Sequence, residues 1–264
     1  MDLKKYYYLT NDAVFKKIFG SEKNRDLLIS FLSAILNIPK ETMSDVTVKN
    51  PEITPENIAD KFCRLDLSLS IDGTDIDVEM QVGKEENFGD RLLVYWAKMY
   101  SATLGKGNNY WGLKKCISLA FVDFEMFPEH RNSPKFHYNF AVTEKDLQFP
   151  LSDKLDAQIV ELRKVPNFKA DENNELMWLN FLKAKSEEEI DMIGQTGTSD
   201  IQKAANAWRD FNADESNRII AMNREFAELA RNTALYNARI QGKQEGLLEG
   251  LLEGERKKAI FTAK

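Results

Sequence analysis

The sequence predicts an α/β fold: a central mixed sheet flanked by helices, followed by a helical C-terminal appendage. Three observations carry this. Residues 64–81, RLDLSLSIDGTDIDVEMQ, alternate as a β-hairpin does. Stretches at 12–37 and 88–104 space apolar residues at helical intervals on either side of that hairpin. From Glu175 onward the pattern is helical throughout.

The hairpin organises the rest. Leu65, Leu67, Leu69 and Ile71 alternate with Asp66, Ser68 and Ser70. Asp72-Gly73 then offers a two-residue turn, a pair that tolerates two positive φ values. Alternation resumes with Ile76, Val78, Met80 and Val82 on one face and Asp75, Asp77, Glu79 and Gln81 on the other. With Asp72 and Gly73 as the loop, Asp66 falls opposite Glu79, and Ser68 opposite Asp77. Directly opposed side chains have Cβ atoms roughly 4.5–5.5 Å apart. Two carboxylates that close repel unless a proton or a cation lies between them, and carboxylate oxygens are what Mg²⁺ prefers. The alternative is a solvated acidic face of an antiparallel sheet. A four-residue loop would move Glu79 opposite Ser68 and Gln81 opposite Asp66.

Before the hairpin, Asn11 or Asp12 can cap a short helix carrying Val14, Phe15, Ile18 and Phe19 on one side, stopped by Gly20. Asp12 and Lys16 share a face four residues apart, the spacing of a helix-surface ion pair. Ser21 can cap a second helix with Leu27, Leu28, Phe31, Leu32, Ile35 and Leu36, ended by Pro39. Residues 45–49 read as a short strand and 50–60 as loop. After the hairpin, the helix at 88–104 sets Arg91 and Tyr95 at i, i+4. KCISLAFVD, 115–123, is a buried-type strand, and 137–142 and 157–165 are further strands.

The composition change near Pro166 divides the chain into a domain over 1–168, a helical appendage over 169–240 and a tail over 241–264. The appendage contains a long helical run from 199 to 240, with Phe211, Ile219, Met222, Phe226 and Leu229 on one face. The tail carries Gly242, Gly246, Gly250 and Gly254 at every fourth position, each costing a helix about 1 kcal/mol against alanine. It reads as a frayed or partner-dependent helix. That tail and the amphipathic run predict a homodimer through the C-terminal helices.

The 264 residues are 43% hydrophobic and 30% charged, with a net charge of −6. No run approaches the ~18–20 apolar residues of a membrane span, and the start of the chain has no apolar signal region, so the cytoplasm is expected. Negative net charge does not favour nonspecific polyanion binding, although Lys4, Lys5, Lys16, Lys17, Lys23 and Arg25 crowd the N-terminus. Two cysteines, Cys63 and Cys116, form no CxxC and read as buried free thiols. His130 and His137 fit no common zinc spacing. There is no P-loop and no GxGxxG.

The order helix, strand, hairpin, helix, strand is the αβββαβ order of the PD-(D/E)xK nucleases, a restriction-endonuclease-like core. More narrowly, the chain resembles the PD-(D/E)xK family of transposases, also called recombination-promoting nucleases. The matching pieces are NDAVFKKIFGSEKN, LLISFLSAIL, LDLSLSIDG, DVEMQV, FGDRLLVYWAKMYSATLGKGNNY and the strand after it, with the Gly-Glu tail. The resemblance is strong over about 9–165. It implies that Asp66 and Glu79 bind a metal, Mg²⁺ with Mn²⁺ as substitute, together with the Met80 backbone carbonyl. It puts Gln81 where many such nucleases carry lysine. Glutamine cannot act as a base near neutral pH, so water activation would fall to the metal. Asp12 resembles the first-helix acidic position, with Lys16 beside it, and Arg91 and Tyr95 resemble residues that approach the phosphate. The resemblance thus implies a Mg²⁺-dependent endonuclease acting on DNA in recombination or transposition. The competing expectation is a catalytically silent protein of the same fold, serving binding or self-association.

Overall fold

A computed structural model describes residues 5–43, 45–49, 52–53, 63–64, 67–105, 107, 109–169 and 173–262. The chain divides into two units, 1–221 and 222–264.

In the first unit, six strands form a mixed sheet: β1 (Val46–Lys49), β4 (Leu67–Ile71), β5 (Thr74–Gln81), β6 (Cys116–Val122), β7 (His137–Phe140) and β8 (Leu155–Glu161). Their order is β1-β4-β5-β6-β8-β7. β5, β6 and β8 run parallel; β1, β4 and β7 join antiparallel. Two-residue strands β2 (Glu52–Ile53) and β3 (Cys63–Arg64) pair separately. This is the α/β architecture that the sequence predicts.

The β4–β5 turn has the predicted geometry. Asp72 and Gly73 have φ of 47° and 81°, and Ser68 pairs with Asp77. The four-residue loop is thereby excluded. The register ends at the Leu67–Val78 pair, one step before the expected Asp66–Glu79 pair; Asp66 and Leu65 lie outside the described residues.

One side of the sheet is covered by α1 (Asp12–Phe19), α2 (Arg25–Leu36) and α4 (Asn174–Lys183). Phe31 joins the layers, with ring centroids 5.5 Å from Phe121 on β6 and 5.6 Å from Trp178 on α4. Asn11 caps α1 by accepting from the Ala13 amide. Ser21 does not cap α2: a 3-10 turn over Glu22–Asn24 intervenes, and Ser21 makes no side-chain cap bond. The other side is covered by α3 (Phe88–Ala102), whose Phe88 and Leu92 pack with Ala120, Val122 and Ile159.

α5 (Glu187–Thr196) and α6 (Ser199–Ala213) follow. The sequence reading of one helix from 199 to 240 is corrected here. Asp214 breaks the run with ψ of 123°, and its carboxylate accepts from the Asn217 amide at the start of α7 (Glu215–Thr262). Phe211 therefore belongs to the buried core of α6, 4% exposed, and not to the apolar stripe that follows. α6 also anchors the start of the chain: Trp208 Nε1 donates to Tyr7 O at 2.8 Å, and Asn212 holds both the Tyr7 amide and carbonyl.

The second unit is the continuation of α7. Its helix runs through all four tail glycines to Thr262, and a Cβ at any of them would meet open space. Phe226, Leu229, Tyr236, Leu247 and Leu251 are all exposed.

Candidate metal and phosphate site

Asp75, Asp77, Glu79 and Gln81 share one face of β5, as alternation requires. That face is not solvated. Asp77 is 0% exposed, Glu79 5%, and Asp75 and Gln81 8% each. The sequence alternative of a water-facing acidic row therefore fails. On the same side α3 covers the neighbouring strand: Val122 on β6 is level with Gln81, and Phe88 and Leu92 join Val122 and Ala120 in one core cluster. Further along, Trp96 Nε1 donates to Cys116 O at 3.0 Å, holding the helix along β6.

Burying carboxylates costs free energy unless charge or hydrogen bonds compensate. Asp75 is compensated: Lys49 Nζ lies at 2.6 Å and Ser70 Oγ donates at 2.9 Å. Asp77 sits between Ser68 on β4 and Ser118 on β6. The Ser118 hydroxyl is fully buried and has no hydrogen-bond partner among the described residues. Glu79 lies one strand position further on the same face. Met80 points to the other side, so only its backbone belongs to this face.

Gln81 closes the row and is held at both ends. Its Nε2 donates to Gly83 O at 2.7 Å, and its Oε1 accepts from Arg91 Nη2 at 2.7 Å. Arg91 Nη1 donates to Glu85 at 2.6 Å, and the guanidinium lies 4.9 Å from the Phe88 ring centroid and 5.8 Å from that of Tyr95. The structure thus brings together Gln81, Arg91 and Tyr95, three of the residues singled out in the sequence. It adds Glu85, which sequence reasoning missed. Glu85 lies in the polar loop GKEEN, where no periodicity marks it.

Asp12 and Lys16 form an ion pair at 3.5 Å on α1. The last turn of α1 approaches the start of β4: a Cβ on Gly20 would come within 3.2 Å of Leu67 Cδ1. Asp66 precedes Leu67 in the chain. Among the described residues no three His, Cys, Asp or Glu side chains converge on one point. The donors of this face are nonetheless carboxylate and carbonyl oxygens, the set that a hard divalent cation takes.

The sequence model of a family described as PD-(D/E)XK nuclease family transposase matches residues 9–238. No curated protein and no solved structure matches the chain.

Proposed function

The chain belongs to the PD-(D/E)XK nuclease family transposases, and from that premise we propose that it is a divalent-metal-dependent DNA endonuclease, hydrolysing phosphodiesters in recombination or transposition. The observation that supports this most is Glu79, 5% exposed, in a buried row with Asp77 and Gln81. Burying acids along one strand face costs free energy, a cost that a structure bears where the site has a use for the charge. Asp66, Glu79 and the Met80 carbonyl would hold Mg²⁺, with Mn²⁺ able to substitute. When bound, the ion supplies charge neutralisation at the scissile phosphate and lowers the pKa of a coordinated water. Gln81 cannot take a proton. Its part is to fix Arg91, which places a planar, permanently charged donor fork beside the acidic row, suited to a phosphate oxygen. Asp12 and Lys16 support the site from α1. The cytoplasm is the proposed location of the reaction, and α7 is proposed to join two copies.

Cleavage of supercoiled plasmid by the full chain tests this reading. Mg²⁺-dependent nicking that disappears in Asp66→Ala and in Glu79→Ala supports it. Equal nicking by wild type and both variants rejects these residues as the centre.

A second reading, a silent protein that keeps the fold for binding, is favoured by Gln81. Its amide is already committed at both ends to Gly83 and Arg91. Absence of cleavage with any divalent ion would select this reading.

A further inference from the structure

The parallel strands β5, β6 and β8 end level with one another, Gln81 beside Val122 and Val122 beside Glu161. Open sheets bind ligands beyond the carboxyl ends of their parallel strands. Neighbouring strands lie about 4.8 Å apart, so these three ends form a rim about 10 Å wide. Directly beyond the rim, the Asp123 amide donates to Gln81 O at 3.0 Å. The Asp123 carboxylate is mostly buried and takes two cations from separate segments. Arg163 Nε lies at 3.2 Å and Lys185 Nζ at 3.0 Å. Those two side chains are 62% and 64% exposed.

Two cations on one carboxylate leave a net positive charge held in place. The two terminal nitrogens of Arg163 donate to nothing among the described residues, and Lys185 Nζ has Asp123 as its sole partner among them. Both heads therefore keep donors for another anion. A chain of net charge −6 needs local positive charge of this kind to hold a polyanion.

We propose that Arg163 and Lys185, the two cations that meet at Asp123, grip DNA backbone phosphates flanking the one to be cut. The inference rests on the DNA reading above and concerns affinity, not cleavage. Such contacts carry no sequence information and position the duplex.

The test is fluorescence anisotropy of a labelled duplex with the full chain, in metal-free buffer, across a range of salt concentrations. Arg163→Gln/Lys185→Gln should weaken binding and flatten the plot of log K against log salt by about 1.8, two contacts at roughly 0.9 each. Asp123→Asn, which keeps both cations and removes their anion, should bind as tightly as wild type or more tightly. Lys145→Gln, an exposed loop change, should alter the slope by less than half as much. A double variant with the wild-type slope overturns the proposal, as does Lys145→Gln flattening it equally. Loss of binding in Asp123→Asn would show the cluster to be structural, and also overturns it. Wild type that binds no duplex at any salt rejects the DNA reading itself, and this inference with it.

Discussion

Arg91 Nη2 donates to Gln81 Oε1 at 2.7 Å, so the last residue of β5 is tied to a cation on the neighbouring helix. The same guanidinium reaches Glu85 at 2.6 Å, giving one side chain two anchors across the loop between β5 and α3. Hydrogen bonds to charged groups contribute about 1.5–3 kcal/mol, and removing one partner leaves the other unsatisfied. Arg91→Ala should therefore lower unfolding free energy by about 1.5–3 kcal/mol in denaturant titration. Arg91→Lys should recover less than half of it, because an ammonium cannot serve two acceptors in the fork geometry. A loss under about 0.5 kcal/mol would show that this bridge does not hold the loop.

Asn212 is 0% exposed and serves Tyr7 twice, accepting from its amide at 2.8 Å and donating to its carbonyl at 3.0 Å. Asn212→Ala should cost about 1–3 kcal/mol by leaving the buried Tyr7 amide without a partner, while the Tyr7 carbonyl keeps the Trp208 indole. Hydrogen exchange at the Tyr7 amide should speed up more than in β6. Unchanged exchange there would mean that Trp208 alone holds the start of the chain.

Cys116 is fully buried. Burial, and then the negative charge of Asp75, push its thiol up from 9.0 to about 12. Well below pH 9 the thiol is neutral whether the chain is folded or not, and stability does not change with its titration. Between pH 9 and about 12 the unfolded chain loses this proton while the folded chain keeps it, so stability falls as pH rises. The difference in denaturant midpoint between wild type and Cys116→Ala, under reducing conditions, should narrow steadily from pH 8.5 to 10.5. A difference constant over that range contradicts the assignment.

Phe226, Leu229, Tyr236 and Ile240 follow one another at spacings of three, seven and four along α7, and all are exposed. That is a seam suited to a partner helix. Sedimentation of the full chain should show reversible dimers, and Leu229→Glu/Tyr236→Glu should be monomeric with the same melting of the first unit. A wild type that stays monomeric at high micromolar concentration removes self-association from the account.

The register of the β4–β5 hairpin was legible because Asp72-Gly73 admits few turn types and alternation then fixes every pair. Alternation names two faces of a strand but not what covers them, so the burial of Asp77 and Glu79 was not legible. Nor does local pattern show that α3 lies on the same side of the sheet, a placement set by Phe88 and Leu92 meeting Ala120 and Val122 across distant sequence. The break at Asp214 was hidden because a single aspartate is tolerated inside helices; here it acts as a cap instead. The meeting of Arg163 and Lys185 on Asp123 joins residues 40 and 62 positions apart, and local pattern carries no trace of it.

Glu79 is proposed as a ligand of a divalent metal, and thermal melting with added metal is the sharpest test of that role. A ligand that binds only the folded state stabilises it by about 1.4 kcal/mol at ten times its Kd, roughly 3–6 °C for a unit of this size. Wild type should gain such a shift in millimolar Mg²⁺ or Mn²⁺. Glu79→Gln should lose most of the shift, while its metal-free melting temperature stays the same or rises, since the change relieves carboxylate repulsion without opening a void. A wild type that melts at the same temperature with and without either ion, or a Glu79→Gln variant that keeps the full shift, would contradict the account.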